Sequence, residues 1–235
     1  MSVAQNLNAV KDRIAAAAKR AGRDPASVVL VAVSKTVDDA RIREAIAAGA
    51  AVLGENRVQE AREKIERLDA IASWHLIGRL QSNKAKYAVR LFDLIHSVDS
   101  VALAQELDRQ AGKIGKRQDI LIEVSIAGEE QKAGVATDGV PALVREAAKL
   151  PNLRVRGLMT MPPYSEDPEA SRPYYRRLRE LADSITKEAV PHVSMEMLSM
   201  GMSNDFEVAI EEGATLVRVG TAVFGERQAL GQSRG

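Results

Sequence analysis

Eight short apolar runs, each followed by a stretch with helical spacing, constrain this chain more than any other feature. The runs cover 28–33, 51–54, 73–77, 93–98, 119–126, 153–159, 193–198 and 215–219. They are rich in Val, Ile and Leu and too short for core helices, so they suit strands buried on both faces. Helix signals separate them. Asp38 or Asp39 caps a helix to Gly49, a charged helix follows Arg57 to about Asp69, and Gln81 to Val89 forms the next. Asp99 or Ser100 caps one ending near Gly112, and Asp138 with Pro141 opens another. Pro168 starts a helix to about Val190, which Pro173 kinks or truly begins. Ser203 or Asn204 caps the helix to Glu212, and a short tail helix follows Gly220-Thr221. Val3, Leu7, Val10, Ile14 and Ala18 add an N-terminal helix over about 3–21, stopped by Gly22.

Strands and helices alternating at these lengths imply parallel βαβ units. Eight units closing on themselves make a (β/α)8 TIM barrel, and 235 residues is close to its usual size. An open doubly wound sheet competes, but its Gly-rich dinucleotide turn after the first strand is absent from Ser34-Lys35-Thr36. The expected fold is therefore α/β, with one barrel domain over 1–235, an extra N-terminal helix and a short tail after about 226.

The first strand, Val28-Val-Leu-Val-Ala-Val-Ser-Lys-Thr36, ends in chemistry. Alternation puts Val29, Val31, Val33 and Lys35 on one face, so the amine sits one step beyond the apolar layers. A partly desolvated amine favours its neutral form, the nucleophile that makes imines with aldehydes. Taken alone, Lys35 marks no more than where a buried strand meets water.

In a barrel the chemistry sits at the carboxyl ends of the strands. Those ends carry Lys35, Asn56, His75 with Arg79, Ser125, the cluster Ser199 to Ser203, and Gly220-Thr221. Loops after strands seven and eight are the usual phosphate position, where backbone N–H groups, small residues and hydroxyls meet. Ser199, Gly201 and Thr221 suit that role, though each loop singly reads as an ordinary helix cap. Leu216, Arg218 and Gly220 share a face of the last strand; if that face is inward, Arg218 is buried and needs a partner. Lysine, phosphate cup and arginine together describe a pyridoxal phosphate site, with Arg218 facing the ring nitrogen.

Other classes are excluded by composition. A net charge of +1 with interspersed signs gives no footprint for nucleic acid or an anionic membrane. There is no Cys, and three scattered His show no metal-ligand spacing. No apolar run approaches a membrane span, and the N-terminus lacks signal-peptide features, so a cytoplasmic protein is expected.

The chain also resembles the YggS/PROSC pyridoxal-phosphate homeostasis family, related to the N-terminal barrel of alanine racemases. The resemblance rests on Val33-Ser-Lys-Thr36, Gly54-Glu-Asn-Arg-Val-Gln-Glu60, Trp74-His-Leu-Ile-Gly-Arg-Leu-Gln-Ser-Asn-Lys84, Gly128-Glu-Glu-Gln-Lys-Ala-Gly134, Gly157-Leu-Met-Thr-Met161, Leu198-Ser-Met-Gly-Met-Ser203 and Val217-Arg-Val-Gly-Thr-Ala-Val-Phe-Gly225. It implies pyridoxal 5′-phosphate held as an aldimine on Lys35 and Asn56 beside the ring. It also implies Arg218 at the pyridine nitrogen, with Ser199, Gly201, Gly220 and Thr221 at the phosphate. Ser125 departs from the family's Asn after the fifth strand, which leaves one polar contact at the mouth in doubt.

The resemblance further implies a carrier without robust catalysis, with apo forms of pyridoxal-phosphate enzymes as recipients. The alternative is a small single-domain racemase using Lys35 with Tyr164 or His75; a third is a lysine aldolase-type barrel. Alanine racemases take their second acid/base from a C-terminal β domain that this chain lacks, and their dimer relies on that domain, so a monomer is expected. Lys84, Lys86 and Lys132 are candidate docking amines, with solvated surface lysines as the plain reading.

Overall fold

A computed structural model of the protein describes residues 1–68, 72–128 and 133–225. Its strands are β1 (Val29–Val33), β2 (Val52–Glu55), β3 (Ser73–Leu76), β4 (Leu94–Val98), β5 (Gln118–Ser125), β6 (Val135–Ala136), β7 (Leu153–Thr160), β8 (Val193–Ser199) and β9 (Leu216–Val219). All pair in parallel, in the order β4-β3-β2-β1-β9-β8-β7-β5, and β4 pairs β5 to close the ring. The two-residue β6 adds only to the end of β5, at Val124↔Val135. The eight remaining strands form the expected barrel.

Helices α1 (Val3–Arg20), α2 (Asp39–Ala47), α3 (Val58–Leu68), α4 (Ala85–Leu91), α5 (Val101–Gly112), α6 (Val140–Ala148), α7 (Arg172–Lys187), α8 (Phe206–Glu211) and α9 (Thr221–Phe224) surround it. Ser2 and Gln5 form a reciprocal capping box on α1. Asn6 Nδ2 then donates to the Val223 carbonyl at 3.2 Å, fastening α1 across α9. Pro173 lies in the first turn of α7 and so begins that helix instead of kinking it. The helix expected from Ser203 or Asn204 starts at Phe206. Asp205 causes this delay: its carboxylate accepts from Met202 N, Ser171 Oγ and Tyr175 OH, and so holds the preceding loop out of the helix. The expected helix end near Asp69, Lys132 and the tail after 226 lie outside the described residues. Among the described residues no helix is long and apolar enough to cross a membrane.

Alternation along the strands splits the core in two. Outward residues such as Ala32, Leu53, Leu76, Ile120, Ile122 and Val217 pack under the helices. Inward residues Val31, Val33, Ile77, Leu94, Leu121, Met159 and Leu216 fill the barrel. Val31 and Val33 thus face inward as expected, whereas Val29 is 40% exposed at the lower end.

Two residues further along β4, β5 and β9, the inward positions become polar: His96, Glu123 and Arg218, all buried. His75 Nδ1 lies 3.0 Å from His96 Nε2, and His96 Nδ1 lies 2.8 Å from Ser199 Oγ. Burial pulls His75 down to about 4. Burial, then His75 and Arg218, hold His96 well below the usual histidine range, so both rings are neutral near pH 7. Glu123 has no hydrogen-bond partner at Oε2. Burial, aided by Asp99 and opposed by Arg218 and Arg79, pushes its carboxyl up to about 7.

The raised carboxyl has a signed consequence. Below pH ~4.5 Glu123 is protonated whether the chain is folded or not; from there to about 7 only the unfolded chain ionises, so stability falls as pH rises. Glu123→Gln should leave stability near pH 4 almost unchanged and raise it at pH 8 by up to about 3 kcal/mol. Urea denaturation at the two pH values checks this, and an equal effect at both counts against it.

Candidate functional site

A cavity of about 540 Å³ opens at the carboxyl ends of the strands. Lys35, Asn56, Arg218, Gly220 and Thr221 line it, as do Met161, Tyr164 and Ser203. Five of the seven residues singled out in the sequence therefore meet in one place.

The turn that carries Lys35 is fixed from both sides. Val37 N donates to the Ser34 carbonyl at 3.0 Å, and Thr36 takes a φ of 60°. A β-branched residue in that region costs on the order of 1–3 kcal/mol, so the surroundings must impose it. They do so through Lys64, a buried ammonium on α3. Its Nζ donates to the Ser34 carbonyl at 2.5 Å, to Glu55 Oε1 at 2.8 Å and to Glu60 Oε1 at 2.7 Å. Ser34 Oγ donates to Glu55 Oε1 at 2.7 Å, and Thr36 N donates to Glu60 Oε1 at 2.6 Å. The residues before and after Lys35 are thus tied to one buried cluster, which leaves Lys35 aimed at the cavity.

The two acids of that cluster shift in opposite directions. Burial pushes the Glu55 carboxyl up, against the hydrogen bond from Lys64. Burial also opposes ionisation of Glu60, but its bonds from Lys64 and Thr36 outweigh it and hold that carboxyl below its usual range. Glu60 is therefore the firmer ion-pair partner. On the neighbouring strand end, Asn56 approaches Gly78 so closely that a Cβ there would lie 2.5 Å from the Asn56 carbonyl oxygen. Only glycine admits that contact.

Arg218 projects inward from β9 and is 4% exposed. Its Nη1 donates to Ser199 Oγ at 2.5 Å and its Nη2 to the Thr160 carbonyl at 2.8 Å. Among the described residues no carboxylate lies within ion-pair distance of it. Burial pulls its pKa down while Tyr175, Glu123 and Asp205 oppose, but a guanidinium keeps its proton in proteins. The cavity thus contains a fixed cation with donors aimed at neutral acceptors.

Ser199 and Gly201 do not line the cavity. Ser199 is fully buried beneath it, bridging Arg218 and His96. Gly201 has a φ of 92°, and a Cβ would meet Ala209 Cβ at 2.6 Å, so it lets the loop pass under α8. Beside Thr221, the hydroxyl residue that lines the cavity near the expected phosphate position is not Ser199 but Ser203. Its Oγ accepts from Gly220 N at 3.3 Å and Ala222 N at 3.5 Å, both long bonds at the start of α9. Backbone donors converging on one weak acceptor are a fitting cup for an oxyanion. The sequence held a signal for Ser203, since it closes Ser-Met-Gly-Met-Ser, but there it read as a helix cap. His96 carried no such signal. His75 is buried off the cavity, while Tyr164 is 79% exposed on its rim. Among the described residues no three His, Asp or Glu side chains gather as a metal site.

Sequence and structure comparisons show the family and the fold. The family model for the alanine racemase N-terminal domain matches residues 5–228. The pyridoxal phosphate homeostasis protein of Aquifex aeolicus is 50% identical over 232 residues, covering 97% of this chain and 100% of that one. PipY of Synechococcus elongatus, solved with PLP bound, is 39% identical with a TM-score of 0.83, covering 95% of this chain and 100% of that one. Alanine racemase of Clostridium difficile shares the fold at 13% identity, with a TM-score of 0.74 over 96% of this chain and 58% of its own. By these matches the chain belongs to the pyridoxal phosphate homeostasis proteins within the alanine racemase N-terminal-domain family.

Proposed function

We propose that this protein binds pyridoxal 5′-phosphate and serves cofactor homeostasis, holding the aldehyde as an imine on Lys35. The observation that carries the reading is the meeting of Lys35, the buried Arg218 and the Ser203–Gly220–Ala222 cup around one cavity. The relatives' names and PLP-bound PipY support it. Gly220, Thr221 and Ser203 would take the phosphate, Arg218 the pyridine nitrogen, and Asn56 the ring's flank. Ser199 and Gly201 act one step removed, by holding Arg218 and the loop. When bound, the cofactor supplies a transferable aldehyde and an electron sink. Arg218 keeps its proton and is held by Ser199 and Thr160, so it leaves that nitrogen unprotonated and the sink weak.

Two-base racemisation needs a second acid/base opposite Lys35. His75 is buried off the cavity and neutral, which leaves Tyr164 on the rim as the one group favouring the racemase alternative. A carrier is the better reading. We take the chain as one barrel domain acting as a cytoplasmic monomer, with apo pyridoxal-phosphate enzymes as recipients.

Borohydride reduction of the protein loaded with pyridoxal phosphate, followed by peptide mapping, should find the pyridoxyl group on Lys35. Lys35→Ala should lose it, and a principal label elsewhere would overturn the assignment. Incubation with L-amino acids should give no D-enantiomer by chiral chromatography; turnover lost in both Lys35→Ala and Tyr164→Phe would establish the racemase instead. Lys64→Met removes the ammonium that ties Ser34, Glu55 and Glu60 together. It should lower unfolding free energy by about 3 kcal/mol or more and reduce Lys35 labelling in the fraction still folded.

A further inference from the structure

The rim between β2 and β3 carries a second hollow, of about 380 Å³, which shares Asn56 and Arg79 with the Lys35 cavity. Its polar lining is Asn56, Arg57, Gln59, Arg79, Gln81 and Lys84: three cations, three amides and no acid. Eleven of the twenty arginines among the described residues have acidic partners. Nearby, Arg62 pairs with Glu66 and Arg67 with Asp39. Among the described residues, Arg57, Arg79 and Lys84 make no ion pair or side-chain hydrogen bond. Glu60 feels Arg57 only at a distance. Three like charges around one concavity hold a positive potential that a small oxyanion would neutralise, with the guanidinium forks suited to a carboxylate.

Position selects the occupant. Around the mouth, β9 brings the amide cup, β1 brings Lys35, and β2 with β3 bring these cations. A phosphate already has its place at Ser203 and Gly220, on the far side of Lys35. What lies beyond the amine, toward β2 and β3, is room for the other end of a molecule whose nitrogen competes with Lys35. We propose that this hollow binds the carboxylate of an α-amino acid, and that such an amino acid discharges the cofactor by amine exchange. The step balances without a redox partner. The incoming nitrogen adds to the imine carbon, the bond from that carbon to Lys35 Nζ breaks, and both protons of the incoming amine pass to Lys35, which leaves as a neutral amine.

This rests on the reading that Lys35 carries pyridoxal phosphate, so the Lys35 label is verified on the same preparation before any amine is added. The loaded protein is titrated with L-alanine and with 2-aminopropane, which lacks the carboxylate, and compared at equal concentrations of unprotonated amine by absorbance of the bound chromophore. Alanine should displace Lys35 at a concentration about tenfold lower or more, the effect of one charge-assisted contact. The double variant Arg57→Gln/Lys84→Gln, whose residues lie outside the Lys35 cavity, should erase that advantage and keep the 2-aminopropane curve. Coincident curves in the unaltered protein, or an advantage that survives the double substitution, overturn the proposal. So does discharge by inorganic phosphate, but not by alanine, that depends on Arg57 and Lys84. Absence of the Lys35 label fails the underlying reading and is distinguished by arising before the titration.

Discussion

Strand β1 is hydrogen-bonded to β2 on one side and to β9 on the other, with Val31 opposite Arg218 in the second ladder. That seam joins parts of the chain about 190 residues apart, and every feature of the mouth follows from it. Lys35 extends β1, while Arg218, Gly220 and Thr221 belong to β9 and the turn after it. An open sheet of the same strands would place them at opposite edges. Closure also makes the inward face of each strand a shared interior, where four different strands bring His75, His96, Ser199 and Arg218 into one hydrogen-bonded row.

Electrostatics inside this barrel are arranged for fixity. Among the described residues Arg218 has no carboxylate against it, and two of its five N–H donors go to a hydroxyl and a carbonyl. Both histidines beneath it are held neutral by burial. The charged groups are instead concentrated outside the ring, where Lys64 sits between Glu55 and Glu60 and secures the strained turn at Thr36. One buried ammonium, nearly thirty residues from Lys35 in sequence, thus holds the turn that carries Lys35.

Strands and their order were legible because buried parallel strands are short, apolar and punctuated by caps, and the βαβ rule leaves few topologies. Lys35, Asn56, Arg218, Gly220 and Thr221 were legible because strand ends in a barrel converge. Ser199 and Ser203 were harder to rank: both lie in one loop, and the backbone turn at Gly201 decides which hydroxyl faces the cavity. Lys64 looked like a surface residue of a charged helix paired with Glu60 one turn earlier, since nothing in its neighbourhood announces Glu55 and the Ser34 carbonyl reaching it from other elements. The face of His96 follows from alternation after Leu94, but its partners come from β3 and β8, which a single strand's pattern does not reveal. Asp205 delayed α8 for the same reason, because its partners Ser171 and Tyr175 sit a whole unit upstream.

The seam between β1 and β9 also has a meaning in time. A ribosome delivers Val29–Val33 long before Leu216–Val219, so while the intervening residues are made the first strand keeps one row of amides and carbonyls without its partner. Helix α1, which finally rests across α8 and α9, waits equally long for its seat. The nascent chain therefore presents a sticky edge and a homeless amphipathic helix until β9 and α9 have been made, an interval in which chaperones have the most to guard.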